Sequence, residues 1–149
     1  MIAVGVLGTW PLIHMIKLDY DYERNIAIIE FVGKVDAEQG KEYLPNIPKV
    51  LPKGAKDFTL LVDLSLVQSM DPKIKNSIKK AMDFFNSAGV RRVIRVIPRL
   101  EQDIGLNIMS YFHYSKNVQI ISLPTRQEAE ERLRNDRNSL LKQMTEQNK

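Results

Sequence analysis

The chain has 149 residues and a formal net charge of +4, with 44% hydrophobic and 27% charged residues. A chain of this length can bury one hydrophobic core without disulfides or metal sites to stabilise it. The composition is that of a globular domain rather than of a disordered chain. The absence of cysteine excludes disulfides, thiolate chemistry and cysteine-based zinc sites. The modest positive charge does not by itself argue for nucleic acid.

The first residues are apolar but lack the pattern of a targeting or spanning segment. The run 1–16 contains glycines and a proline, has no basic start or small-residue cleavage pattern, and is shorter than the ~20 residues of a spanning helix. We predict residues 1–14 to be an appendage, added by an upstream start codon. An edge strand and a partner-binding arm are the competing interpretations. We expect the domain over 15–142 and a disordered tail over 143–149.

The N-terminal half of the domain begins with a predicted β-hairpin. Apolar residues at 18, 20 and 22 alternate with aspartates, which indicates a half-buried strand, and the run 26–32 predicts its partner. Asp36 and Gln39 have the spacing of a capping box at a helix start. The prolines at 45, 48 and 52 keep this helix short.

The C-terminal half alternates strands and helices. Apolar runs over 58–64, 93–97 and 118–123 predict three strands. Asp71 and Pro72 form a helix start, Gly89 is a helix stop, a further helix is predicted over 104–112, and Thr125 begins the last helix. The order β-β-α-β-α-β-α-β-α predicts an α/β fold with a single-layer mixed sheet of four to five strands and helices mainly on one face.

Five short segments match the motifs of one domain family. They are Gly33-Lys-Val-Asp36, Val62-Asp-Leu-Ser-Leu-Val67, Met70-Asp71, Ala88-Gly-Val90 and Leu123-Pro-Thr-Arg-Gln-Glu-Ala129. With the order of elements, they resemble the STAS domain of sulfate transporters and anti-sigma-factor antagonists, in its SpoIIAA-like form. The resemblance covers residues 17–133 and implies a regulatory signalling module of the bacterial type.

The resemblance breaks at the residues that carry the family's switch. Signalling members continue after the aspartate as Ser-Ser-Gly, and the second serine accepts phosphate from an anti-sigma kinase. Here these positions are Pro72, Lys73 and Ile74. Ser69 and Ser77 lie nearby, but neither occupies the matching position. We therefore expect a non-enzymatic regulatory or protein-interaction module, without a cofactor and without the usual serine phosphorylation.

The start of the second predicted helix is the expected partner-binding surface. Lys75 and Lys79 are one turn apart and share a face, and Lys73 adds a third positive charge that would attract an acidic protein surface. Asp71 and Pro72 would set the geometry of the loop. No aromatic residues interleave these lysines, which argues against single-stranded nucleic acid. A solvated helix surface is the competing interpretation, and arginines at 91, 92 and 95 would extend the basic patch if they folded beside this helix.

Two other function classes stay open. Met109 and Phe112 would line the pocket of a protein that binds a small apolar or lipid-like ligand, although such spacing is more often that of core residues. Acid–base catalysis would require Asp63, Asp71 or His113 to converge in one pocket. Structural positions explain these residues more simply than catalysis does: a strand end for Asp63, a helix cap for Asp71 and a helix end for His113. We also expect no metal site from two isolated histidines.

The expected setting is the cytoplasm, since a chain without cysteine suits a reducing compartment and no segment is predicted to span a membrane. A small sheet leaves strand edges that can pair with another chain. A homodimer, formed through the N-terminal segment, is therefore a further expectation.

Overall fold

The structure, a computed structural model, describes residues 14–99 and 113–147. Within these residues five strands form one sheet, in the order β1-β2-β3-β4-β5. Their bounds are β1 Met15–Asp21, β2 Ile26–Val35, β3 Phe58–Met70, β4 Val90–Val96 and β5 Gln119–Leu123. The first pair is antiparallel and the others are parallel. The predicted mixed sheet is therefore confirmed.

Helices cover both faces of this sheet, with most of them on one face as predicted. Their bounds are α1 Ala37–Tyr43, α2 Ile47–Val50, α3 Lys75–Ala88 and α4 Arg126–Gln147, with 3-10 turns at Leu44–Asn46 and Pro72–Ile74. Helices α1, α2 and α3 pack on one face, and α4 packs on the other. The helix predicted over 104–112 lies outside the described residues. Among the described helices, none is long and apolar enough to cross a membrane.

The core has two layers because successive strand residues point to opposite faces. On the α3 face, Leu60 and Val93 pack with Phe85 in the larger cluster. On the α4 face, Leu61 and Ile94 pack against helix residues that include Leu133. Strands β3 and β4 are thus buried on both sides, which explains their nearly continuous apolar sequences.

The residues predicted to begin or end helices do so through hydrogen bonds to nearby backbone groups. Asp36 and Gln39 form a reciprocal capping box at α1. The Asp71 carboxylate accepts a 2.9 Å hydrogen bond from the backbone N–H two residues later. Gly89 ends α3 in the left-handed region with φ of 96°, and the Thr125 hydroxyl accepts from the backbone N–H three residues later. Each of these helix caps involves residues that are close in sequence, so local sequence patterns are sufficient to predict it.

Two elements are longer than the sequence pattern indicates. Strand β3 continues to Met70 because β2 also continues, pairing Val35 with Met70 after two register irregularities. Helix α4 runs to Gln147, beyond Leu141 and into the predicted tail. Its last turns contain Leu, Lys, Gln, Met and Glu, which have high helix propensity.

Candidate functional site

The predicted contact surface lies at the edge of the sheet where β2 and β3 end. Asp36 follows β2 and Asp71 follows β3, and each caps the helix that comes next. The backbone N–H of Asp71 donates to the carbonyl of Val35 at 2.9 Å, so the two loops are held side by side. Parallel α/β sheets place binding sites at this carboxyl edge.

The chain turns sharply between β3 and α3. Asp71 has an extended backbone and caps a 3-10 turn whose first residue is Pro72. The ring of Pro72 restricts the backbone at a position where the N–H would have no helical partner. Both residues thus restrict the conformation of the chain where it enters α3.

The three predicted lysines follow this turn. Pro72, Lys73 and Lys75 are exposed, whereas Lys79 is half-buried. Within the described part of the chain, no carboxylate forms an ion pair with the ammonium group of Lys73, Lys75 or Lys79. Their charges are therefore not neutralised by the described residues.

A shallow hollow adjoins this edge and was not predicted. It has a volume of about 430 Å³, and its lining combines residues of the β2–α1 and β3–α3 connections. His14 lies on its wall and accepts a 2.9 Å hydrogen bond from the backbone N–H of Lys34 through Nδ1.

The three acid–base candidates do not converge. Asp63 lies within β3 and is 6% exposed. Asp71 follows eight residues later, roughly 26 Å further along the direction of the strand. His113 contacts a different partner, Asp83, with 2.7 Å between Nδ1 and the carboxylate oxygen. Among the described residues, no group of three or more histidines and carboxylates could hold a metal ion.

Asp63 instead belongs to an ionic cluster beneath α4. Arg126 contacts the carboxylate of Asp63 at 2.8 Å, that of Glu30 at 3.2 Å and that of Glu130 at 3.1 Å. The other oxygen of Asp63 accepts a 2.8 Å hydrogen bond from the backbone N–H of Ser65. Asp63 thus has a structural role at the junction between sheet and helix.

A second arginine extends the cluster to the β1–β2 turn. Arg24 contacts Asp21 at 2.7 Å and Glu130 at 3.0 Å. The side-chain hydrogen bond from Arg24 holds the pKa of Asp21 below its ordinary value. Burial opposes ionisation of Glu130, but hydrogen bonds from Arg24 and Arg126 outweigh it and lower its pKa. The Arg126/Glu130 spacing of four residues was the one sequence signal for this cluster.

Two of the three arginines of β4, Arg92 and Arg95, do not extend the lysine surface. Arg92 contacts Asp136 of α4 on the opposite face of the sheet. Arg95 is 4% exposed and donates to the hydroxyl of Ser122 at 2.9 Å. Since strand residues alternate in direction, these two arginines reach different faces. Arg92 lies on the α4 face and Arg95 is buried, so neither adds an exposed charge beside the three lysines.

A small cavity lies between the sheet and α3. Its volume is about 40 Å³, which is close to the ~30 Å³ that one water molecule occupies. Its lining is mostly apolar but includes Arg95 and Tyr114, and burial raises the pKa of the Tyr114 hydroxyl. Met109 and Phe112 lie outside the described residues.

Comparisons with known proteins identify the fold. No family model matches the chain, and no curated protein is similar to it in sequence. The chain is similar to a DUF3478-family protein from Shewanella loihica with a SpoIIAA-like fold (TM-score 0.61, 14% identity, covering 81% of this chain and 95% of that one). It is also similar to phosphorylated SpoIIAA from Bacillus, with a TM-score of 0.55 and 18% identity, covering 79% of this chain and 98% of that one. A third similar structure is an anti-sigma factor antagonist from Mycobacterium paratuberculosis, with a TM-score of 0.52 and 15% identity, covering 80% of this chain and 93% of that one. The protein therefore has a SpoIIAA-like, STAS-type fold.

Proposed function

We propose that this protein is a non-enzymatic regulatory module of the cytoplasm that binds a protein partner through residues 71–79. The observation that carries the proposal is the group of three lysines, Lys73, Lys75 and Lys79, which lie in and after the capped turn at the carboxyl edge of the sheet. Such a surface favours a partner with an acidic face. Solved structures of the same fold include anti-sigma factor antagonists, which supports a regulatory role.

The proposed module works without a phosphate at the start of α3. One of the structures with the same fold is a phosphorylated form. In this chain the position that matches the family's phosphorylated serine is Lys73, which cannot accept phosphate as a serine does and already carries a positive charge. Partner binding would then depend on the amount of each protein, and not on the phosphorylation state of this residue.

The test is partner capture with charge-reversed variants. The tagged chain is expressed in its own host as the wild type, as Lys75→Glu/Lys79→Glu and as the control Lys49→Glu/Lys53→Glu, which makes the same charge change at other exposed positions. We expect one protein to be recovered with the wild type and the control, and at least about tenfold less with the first variant, equivalent to about 1.4 kcal/mol.

Two results would contradict the proposal. A partner recovered equally with both variants would show that these lysines do not bind it. A lipid or other small molecule retained in native mass spectrometry, insensitive to both charge changes, would favour the ligand-binding alternative. Mapping of phosphate on the purified protein tests the second part, because phosphate on Ser69 or Ser77 would restore a phosphorylation switch near the same turn.

A further inference from the structure

A second candidate binding surface, a groove with an apolar lining, lies on the outer side of the helical layer. Helices α1 and α2, with the turn between them, form one wall of a groove, and α3 forms the other. The groove has a volume of about 270 Å³. Its apolar lining includes Leu44, Ile47, Ala81 and Phe84. This volume is larger than that of the cavity between the sheet and α3, and the groove opens to solvent.

The sequence explains why the helices meet at one point and leave a groove beside it. A Cβ atom at Gly40 would lie 2.6 Å from Cγ1 of Ile74, so α1 approaches the start of α3 too closely for any larger residue. After Tyr43 the chain passes through a 3-10 turn into α2, and Pro45 and Pro48 form part of the wall. Prolines restrict the backbone, so this wall is stiff without a bound partner.

The charges around the groove have one sign. Among the described residues that line it, Lys41 and Lys80 are the charged ones, and they lie on opposite walls. Both side chains are exposed, and neither forms an ion pair with a described residue. An apolar floor between two ammonium groups is complementary to an apolar side chain with carboxylates on either side.

We propose that this groove binds a short acidic segment of a partner protein. One large apolar side chain of that segment would occupy the space over Leu44 and Phe84, and flanking carboxylates would contact Lys41 and Lys80. The stiff walls would limit the ordering cost of binding on the side of this protein. Lys73, Lys75 and Lys79 do not line the groove, so this inference does not rest on the surface proposed above.

The experiment begins with a random peptide library displayed on phage and selected on the full chain. We expect enriched peptides in which Asp or Glu flanks Phe, Leu or Trp. The affinity of a synthesised, labelled peptide is then measured by fluorescence anisotropy. We expect it to fall at least about tenfold with Lys41→Glu/Lys80→Glu, and less than about twofold with Lys75→Glu/Lys79→Glu, which makes the same charge change on the other surface.

Amide chemical shifts locate the binding site and confirm that each variant is folded. The peptide should perturb the amides of residues 44, 47, 81 and 84. Basic or neutral enriched peptides, no enrichment, or equal loss in both variants would overturn the proposal. So would concentration-dependent shifts of these amides without peptide, which would indicate a second copy of the chain. Shifts there on deletion of residues 1–13 would indicate that this chain's own segment occupies the groove.

Discussion

Arg126 shows how one side chain determines the role of several others. Asp63 is almost fully buried within β3, and a buried carboxylate is costly unless it is paired and hydrogen-bonded. Arg126 reaches it from the first turn of α4 and also contacts Glu30 and Glu130. The carboxylate that looked like a catalytic candidate in sequence is therefore part of the attachment of α4 to the sheet.

We expect Arg126→Ala to lower the free energy of unfolding by about 1–3 kcal/mol, since it leaves Asp63 without its charged donor. Arg126→Lys should lower the free energy of unfolding by less, because it keeps the positive charge. Some loss should remain, because lysine lacks the planar guanidinium group that contacts several carboxylates at once. Urea unfolding measures both. Arg134→Ala, at an exposed position of the same helix, is the control and should change stability by less than ~0.5 kcal/mol. An equal effect at 126 and 134 would contradict the structural role of the cluster.

Helix α4 divides into a packed half and a projecting half. Ala129 and Leu133 are buried on the sheet, whereas Leu140 is 57% exposed and Leu141 is 50% exposed. Arg137 still contacts Glu23 in the β1–β2 turn. Helical spacing places Leu140 on the same face as Leu133, but the sheet does not extend beneath it. Exposure along this face is therefore set by the length of the strands.

Two leucine-to-alanine substitutions in α4 test this division. Leu133→Ala should lower the free energy of unfolding by about 2–4 kcal/mol, because it removes buried methyl groups and leaves a cavity. Leu140→Ala should change it by less than ~0.5 kcal/mol. Both are measured by urea unfolding, and the helix content of each variant is checked by circular dichroism. Similar losses at the two positions would mean that the second half of α4 is packed in solution.

At the scale of the whole molecule, ion pairs connect the hairpin, the central strands and α4. Arg24 contacts both Asp21 and Glu130, and it contributes to the lowered pKa of each. A carboxyl group with a lowered pKa in the folded state stabilises the fold at pH values above its unfolded pKa. That contribution is lost as the pH falls through the folded pKa, so the molecule should weaken in acid.

We expect the stabilisation from Asp21 and Glu130 to be complete near neutral pH and to fall below their ordinary pKa values of 3.8 and 4.5. Arg24→Ala removes the partner of both groups. It should therefore destabilise the protein more near pH 7 than near pH 3, where the carboxyl groups are becoming protonated. Urea unfolding at the two pH values measures this difference. An equal cost of Arg24→Ala at both would contradict the assignment.

Local patterns in the sequence were sufficient to predict the order of the described strands and the helix caps at Asp36, Asp71 and Thr125. These features follow from side-chain alternation and from hydrogen bonds between residues a few positions apart. Such information is present in any short window of the chain.

The length of β3, the partner of Asp63 and the groove between α1, α2 and α3 could be seen only in the folded molecule. The end of β3 depends on pairing between Val35 and Met70, and Asp63 lies 63 positions before Arg126 in the sequence. The groove depends on the close approach of Gly40 to Ile74. Each feature requires distant residues to meet, and burial and charge pairing across that distance are properties of the assembled fold.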